Sequence, residues 1–269
     1  MHPDSAAISI AAWKGDVDAL RRELARGVAV DLDENHDGAT ALQLVCRCGA
    51  NIKLEDRVAC VELLLEYGAT LNAGLPNNPG HSGHGTRVYY MTPLIEAAMN
   101  PCAKVVEMLI AAGSDVNAQV CCPIQGSCSP LMGAVLASSI HVASPPHVHT
   151  DGLDVVDALL KAGADANPPE YGSTVMEWAI ELSLRRLYPL LLRAGSVLPT
   201  PVDEFTSSLG GARRVDPYLL RVENAGGFKA HEKVHREKLL TIFAPKLDHL
   251  VPPELMSLIV EYAFHLGFY

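Results

Sequence analysis

The chain has 269 residues, of which 49% are hydrophobic and 19% are charged, and its formal net charge is −10. That apolar content is enough for one continuous core with a small additional element, and the acidity argues against binding to nucleic-acid phosphates. No apolar run reaches the ~18 residues of a membrane-spanning helix, and no secretory signal is expected at the start. Seven cysteines, an odd number without the spacing of a disulfide module, favour reduced thiols in an intracellular protein.

The negative charge is concentrated in the first three quarters of the chain. Residues 203–269 contain eight Lys/Arg and nine Asp/Glu, which leaves thirteen basic and twenty-two acidic residues in 1–202. The larger part therefore carries a net charge of −9. A surface of this sign favours a basic protein partner over a nucleic acid.

The first predicted unit spans residues 5–36 and consists of two short helices. The second helix closes at Gly27, because glycine takes the left-handed conformation that ends a helix at the lowest cost. This helix carries Arg21, Arg22 and Glu23 at positions where later units carry apolar side chains. A polar face of this kind suits the terminal unit of a stack, which has no neighbour on one side.

The same pattern returns in residues 37–73, 90–118, 127–168 and 172–199. It is clearest in TPLIEAAMNPCAKVVEMLIAAGSDVNA, where Thr92 can cap the first helix and Pro93 suits its first position. The residues predicted to end the second helices are Gly27, Gly68, Gly113, Gly163 and Gly195. They are separated by 41, 45, 50 and 32 residues, so the repeat is decorated by insertions.

The fifth copy departs from the others at two positions. Trp178 falls where the pattern is buried, so it is predicted to lie in the core. Pro189 falls inside the predicted second helix, where a proline costs roughly 3 kcal/mol. We therefore expect that helix to start late or to kink.

These copies resemble the ankyrin repeat, from the opening Thr-Pro-Leu to the closing Asp-Val-Asn-Ala. The resemblance implies an all-α ankyrin-repeat solenoid of about five repeats over residues 1–200, with a β-hairpin finger between successive repeats. It places the insertions 73–91 and 119–128 in fingers, and 50–57 and 137–152 between helices on the far side. It also implies that Asn72, Asn117 and Asn167 tie the hairpins by hydrogen bonds.

An ankyrin solenoid is expected to bind a protein partner through its fingers and concave helix face, and not to be an enzyme. Arg and Tyr are favoured at binding hot spots, which points to the exit of the 73–91 finger. Trp13 could instead pack under the N-terminal tail. The candidate partner-binding residues are Trp13, Lys14, Arg47, Met99 and Asn100 near the ends of first helices, and Arg87, Tyr89 and Tyr90 in the finger.

No catalytic site, metal or cofactor is expected. There is no P-loop, no G-x-S-x-G elbow and no zincin helix. A shared zinc site would need Cys121, Cys122 and Cys128 to meet the histidines of 141–149, but the repeat geometry puts these groups at opposite ends of the helices. A metal-binding role, or a role as regulatory subunit of an enzyme, stays open as a second alternative.

Residues 201–269 carry no repeat signal, so a boundary is predicted near residue 200. One helix is expected over 229–243, ending before Pro245, and another after residue 252 with an apolar stripe. The stripe consists of Leu255, Leu258, Ile259 and Tyr262. The segment is either a cap docked on the fifth repeat or a recruiting element. The second interpretation resembles ankyrin proteins that end in a SOCS box and act as substrate adaptors of cullin-type ubiquitin ligases, although the upstream Leu-x3-Cys signature is not visible here.

Overall fold

The computed structural model of the chain describes residues 3–31, 39–47, 52–73, 91–122, 126–140, 152–167, 174–199, 216–247, 251–252, 255–256 and 258–260. The helices of this part are α1 Pro3–Lys14, α2 Val17–Ala25, α3 Ala41–Arg47, α4 Leu54–Glu66, α5 Pro93–Met99, α6 Ala103–Ala111, α7 Pro130–Ile140, α8 Gly152–Lys161, α9 Val175–Glu181, α10 Tyr188–Arg193, α11 Pro217–Asn224 and α12 Phe228–Leu247. Strands β1 Val120–Cys122 and β2 Gly126–Cys128 form an antiparallel hairpin.

The helices α1 to α10 form two layers around one core. The inner helices α1, α3, α5, α7 and α9 pack side by side, and the outer helices α2, α4, α6 and α8 do the same. Each inner helix also contacts the outer helix that follows it in the chain. The predicted all-α solenoid is therefore confirmed.

The second to fifth repeats begin with a side-chain cap on the inner helix. The Thr92 hydroxyl accepts a hydrogen bond from the Ile95 N–H at 3.3 Å, as the sequence predicts. In α9 the cap is reciprocal, because Thr174 accepts from the Glu177 N–H while the Glu177 carboxylate accepts from the Thr174 N–H. These caps satisfy backbone donors that a helix start otherwise leaves free.

The outer helices of the second to fifth repeats end in the same turn. Gly113 has φ +97° and donates its N–H to the Ile110 carbonyl, while the Ser114 N–H donates to the Leu109 carbonyl. This is the Schellman arrangement, which requires a left-handed residue after the helix. The other predicted closing glycines also have positive φ, namely Gly27, Gly68, Gly163 and Gly195.

The repeat asparagines join the second, third and fourth repeats to the repeat that follows each of them. Asn117 accepts a hydrogen bond from the Asp165 N–H at 2.7 Å and donates one to the Gly163 carbonyl at 3.2 Å. Asn167 bonds in the same way to the Val197 N–H and the Gly195 carbonyl. Their predicted structural role is thus seen. The hairpin β1–β2 lies where the sequence predicts a finger, between the third and fourth repeats.

The insertions between helices are shorter than predicted from the sequence. The first was expected to occupy 50–57, but α4 begins at Leu54, so its last four residues form a helical turn. The second was expected to occupy 137–152, but α7 continues to Ile140 and α8 begins at Gly152.

The outer helix of the fifth repeat starts late, as Pro189 predicts. A 3-10 turn over Arg185–Leu187 comes first, and Pro189 lies in the first turn of α10, where its missing N–H removes no helical bond. The helix has only six residues, against thirteen in α4. Trp178, predicted to be buried, is only partly buried against the core.

Helices α11 and α12 pack on the end of the solenoid. Leu219, Val222 and Phe228 join the core cluster, and the Arg193 guanidinium contacts the Glu232 carboxylate at 2.8 Å. Helix α12 does not end before Pro245 as predicted. It continues to Leu247, although Pro245 has no N–H to donate to the carbonyl of Thr241.

Three residues of the predicted apolar stripe near the C-terminus are exposed in the structure. Leu255, Leu258 and Ile259 are 49%, 58% and 46% exposed, whereas Met256 and Val260 are buried. Tyr262 and the predicted boundary near residue 200 lie outside the described residues. In the described part of the chain, no helix has the length and hydropathy to cross a membrane.

Candidate interaction surface

The last turn of α1 presents an apolar pair to solvent. Ala11 and Ala12 are buried, and small side chains there let α1 pack closely on α3. Ile10 and Trp13 are 52% and 48% exposed, and a separation of three residues makes them neighbours on the helix surface. Lys14 is exposed beside them. Ile10 was missed by the sequence analysis, although its position three residues before Trp13 was a usable signal.

Arg47 occupies the corresponding place at the end of α3. Its Nε and Nη2 both donate to Oε1 of Glu96 on α5, at 3.0 and 2.8 Å. The Glu96 side chain is almost completely buried, and burial raises the pKa of its carboxyl group while the Arg47 guanidinium opposes that increase. Arg47 itself is partly exposed. It therefore both joins two repeats and offers one edge to solvent.

Met99 and Asn100, at the end of α5, are partly buried between repeats. The Asn100 side chain donates to the Glu96 carbonyl at 3.1 Å. Met99 lies against Gly133 of α7, where an added Cβ would be 3.1 Å from the Met99 Cγ. Both residues thus contribute to packing between inner helices as well as to the surface.

Arg57, on the outer helix α4, binds the C-terminal ends of the two inner helices α3 and α5. It is only 3% exposed, and its guanidinium donates to the carbonyls of Val45, Cys46 and Asn100. A cation is stabilised at helix C-termini because the free carbonyls there carry partial negative charge. The sequence analysis missed this residue. Its spacing with Cys60, three residues later on the buried face of α4, was the available signal.

One side chain fixes both ends of the finger between the second and third repeats. The Gln43 Nε2 donates to the Ala73 carbonyl at 3.3 Å and to the Met91 carbonyl at 2.8 Å. Its Oε1 accepts from the Thr40 N–H at 2.7 Å. The candidate residues of this finger, Arg87, Tyr89 and Tyr90, lie outside the described residues.

The four buried cysteines of the described residues form no disulfide. They are Cys46, Cys60, Cys102 and Cys128. Burial, together with the nearby Asp56 and Asp16 carboxylates, raises the pKa of the Cys60 thiol to about 11, so it stays protonated. Across the described ranges, no group of three or more His, Cys, Asp or Glu side chains is placed to hold a metal.

A groove of about 900 Å³ lies on the outer side, between α8, α10 and Tyr218 of α11. It exists because the short α10 leaves part of α8 uncovered. Two of its arginines are held by ion pairs to the C-terminal helices, Arg185 to Asp216 at 2.6 Å and Arg193 to Glu232 at 2.8 Å. The groove therefore marks the joint between the solenoid and these helices, away from the predicted partner-binding residues.

The helix pairs, the side-chain caps and the asparagine ties agree with one repeat family. Residues 7–120 match the family model described as ankyrin repeats, in three copies. These residues are ankyrin repeats. Helices α7 to α10 extend the ankyrin solenoid with the same Asn117 and Asn167 ties. No curated protein matched the chain. Ankyrin repeats generally mediate protein–protein interaction, and the family is typically non-enzymatic.

Proposed function

We propose that the protein is a non-enzymatic interaction module that binds a protein partner at the N-terminal end of its inner helix face. The exposed pair Ile10 and Trp13 is the observation that carries this proposal. The opposite side of α1 is fixed in the core, so the pair is presented on a rigid support. Tryptophan is one of the residue types enriched at binding hot spots.

The other candidate residues extend this surface. Lys14 and the exposed edge of Arg47 supply positive charge, and Met99 and Asn100 continue the row along α5. The finger that contains Arg87, Tyr89 and Tyr90 starts and ends at the hydrogen bonds of Gln43. The buried cysteines, which form no disulfide, support an intracellular location.

Affinity purification with quantitative mass spectrometry tests this surface. Trp13→Ala is compared with Val197→Ala, which removes an exposed apolar side chain at the other end of the solenoid. A hot-spot tryptophan predicts about a 30-fold loss of partner binding for Trp13→Ala, with no loss for Val197→Ala. Partners retained equally by both variants would refute the α1 surface. Replacing Arg87, Tyr89 and Tyr90 by alanine tests the finger separately.

A second candidate function is that of an adaptor for a cullin-type ubiquitin ligase. The exposure of Leu255, Leu258 and Ile259 favours it, because an apolar helix face in solvent is suited to recruiting another helix. We expect Leu258→Asp to abolish co-purification of cullin or elongin components, and Val234→Asp, on α12, to retain it. If the unmodified protein captures neither component under conditions that preserve known adaptor complexes, the adaptor hypothesis is wrong.

A further inference from the structure

Helix α12 carries a stripe of cations that the fold does not use. Lys229, Lys233 and Arg236 are exposed, and their spacing of four and three residues places them on one side of the helix. Leu240 and Phe243 continue the same line, and Phe243 is 40% exposed. Among the residues that the structure describes, none of the three cations makes an ion pair.

The side of α12 that contacts the solenoid is a different one. Phe228 enters the core, Glu232 pairs with Arg193, and His231 makes a ring contact with Tyr218 at 5.4 Å. Beyond His235, no hydrogen bond, ion pair or ring contact joins the helix to another described element. The cationic stripe is therefore free to meet a surface of opposite charge.

Helix α4 carries the complementary stripe. Glu55, Glu62 and Glu66 are exposed on one side of this outer helix, and they too make no ion pair within the described residues. Leu54 and Tyr67, at the two ends of the stripe, are 52% and 46% exposed. Helix α4 thus combines unpaired carboxylates with exposed apolar ends, as α12 combines unpaired cations with an apolar end.

The two stripes cannot meet within one molecule. Helix α4 belongs to the second repeat, whereas α12 packs on α10 of the fifth. Two copies of α12 cannot pair with each other either, because α12 contains five Lys/Arg and only two Asp/Glu and like charges repel. Residues 1–202, in contrast, carry a net charge of −9.

We propose that the protein forms a two-fold dimer in which α12 of each copy lies along α4 of the other. A two-fold axis makes both contacts at once, since the surface that each copy offers is self-complementary. The ion pairs lie at the surface and are individually weak and screened by salt. We therefore expect a weak dimer whose dissociation constant rises at least about tenfold between about 0.1 M and about 1 M salt.

Sedimentation equilibrium of the full chain tests the dimer with two charge-reversed variants. Glu62→Lys/Glu66→Lys makes α4 basic, and Lys233→Glu/Arg236→Glu makes α12 acidic. Each variant alone should be monomeric, because both contacts of its own dimer become repulsive. An equal mixture should associate again, because each contact then joins opposite charges. Glu107→Lys/Asp154→Lys changes exposed carboxylates of α6 and α8 by the same charge and should leave the dimer intact.

Three results would overturn the proposal. The unmodified protein could remain monomeric at low salt, the α4 variant could dimerise as well as the control, or the mixture could fail to associate. Circular dichroism checks that every variant is folded. If the Lys233→Glu/Arg236→Glu variant loses its helical signal, Phe243→Asp on the same helix is measured in its place. A dimer that survives Phe243→Asp also contradicts the α12 contact.

Discussion

Arg47 and Glu96 join the inner helices of the second and third repeats through two hydrogen bonds to a single carboxylate oxygen. The carboxylate is almost completely buried and the guanidinium is partly exposed. A partner that bound Arg47 would therefore meet a group whose inner edge is already neutralised. Arg47 therefore acts mainly by holding two inner helices together, and only its exposed edge can contact a partner.

The pH dependence of stability should report on Glu96. Burial raises the pKa of this carboxyl group above its ordinary value of 4.5, so the folded state binds a proton more tightly than the unfolded state. The resulting stabilisation is present below pH 4.5 and is lost as pH rises through the folded-state pKa. Glu96→Gln removes this pH-dependent contribution. The free energy of unfolding of the variant, relative to that of the unmodified protein, should therefore increase from acid to neutral pH. If urea denaturation gave the same difference between the two proteins at every pH, the prediction would be wrong.

Loss of Arg57 should destabilise the fold strongly. Arg57→Met leaves three carbonyls, two of them buried, without their donor, and we expect a loss of about 3 kcal/mol or more in the free energy of unfolding. Arg26 is the matched control, because its side chain is largely exposed and pairs with Glu23 at the surface. Arg26→Met should cost less than about 1 kcal/mol. Equal losses for the two variants in urea denaturation would exclude the anchoring role.

Replacement of two glycines by alanine distinguishes the cost of backbone strain from the cost of side-chain crowding. Gly15 and Gly27 both have positive φ, but a Cβ on Gly15 would lie 2.3 Å from Ile52 Cγ2, whereas a Cβ on Gly27 would meet nothing within 4 Å. Gly27→Ala should cost about 1–2 kcal/mol from strain alone. Gly15→Ala should cost a further ~1–3 kcal/mol from overpacking. Thermal denaturation measures both, and Ile52→Ala in the Gly15→Ala background tests whether the extra cost comes from this contact.

Attachment of α12 should weaken in acid. His231 and His235 stack with ring centroids 6.0 Å apart. Burial lowers the pKa of both. At His231 the charges of His235 and Arg221 lower the pKa further and Glu232 opposes this, whereas at His235 the charges of Lys238 and Arg221 lower it further. The histidines therefore stabilise the fold above their ordinary pKa of 6.5, and this contribution is lost as pH falls through the lowered folded-state pKa. In acid, hydrogen exchange of the α12 amides, corrected for intrinsic rates, should accelerate in the unmodified protein. It should accelerate less in a His231→Gln/His235→Gln variant.

Local chemistry made the solenoid predictable from sequence. A threonine that caps a helix and a glycine that ends one act within a few residues, so Thr92 and Gly113 define their helix ends without knowledge of the rest of the fold. Pro189 is similar, because it acts on its own turn of helix. The asparagine ties followed from the repeat resemblance.

Residues whose roles depend on distant neighbours were harder to predict. Arg57 is a polar residue on a buried helix face, and only the positions of α3 and α5 supply its acceptors. The apolar stripe of Leu255 and Leu258 could have been buried or exposed, because its periodicity does not say which face meets the solenoid. The sequence position of Arg47 also does not show that its guanidinium forms an ion pair with Glu96.

The two hydrogen bonds of Gln43 hold both borders of one inter-repeat segment. They join the carbonyls of Ala73 and Met91 to a single side chain of α3, so the second repeat itself fixes where the segment leaves and returns. Loop closure becomes only about 0.6 kcal/mol less favourable for each doubling of length. Sequence and length can therefore change at this point with little loss of stability, which makes it the natural place to graft a new recognition loop onto the scaffold.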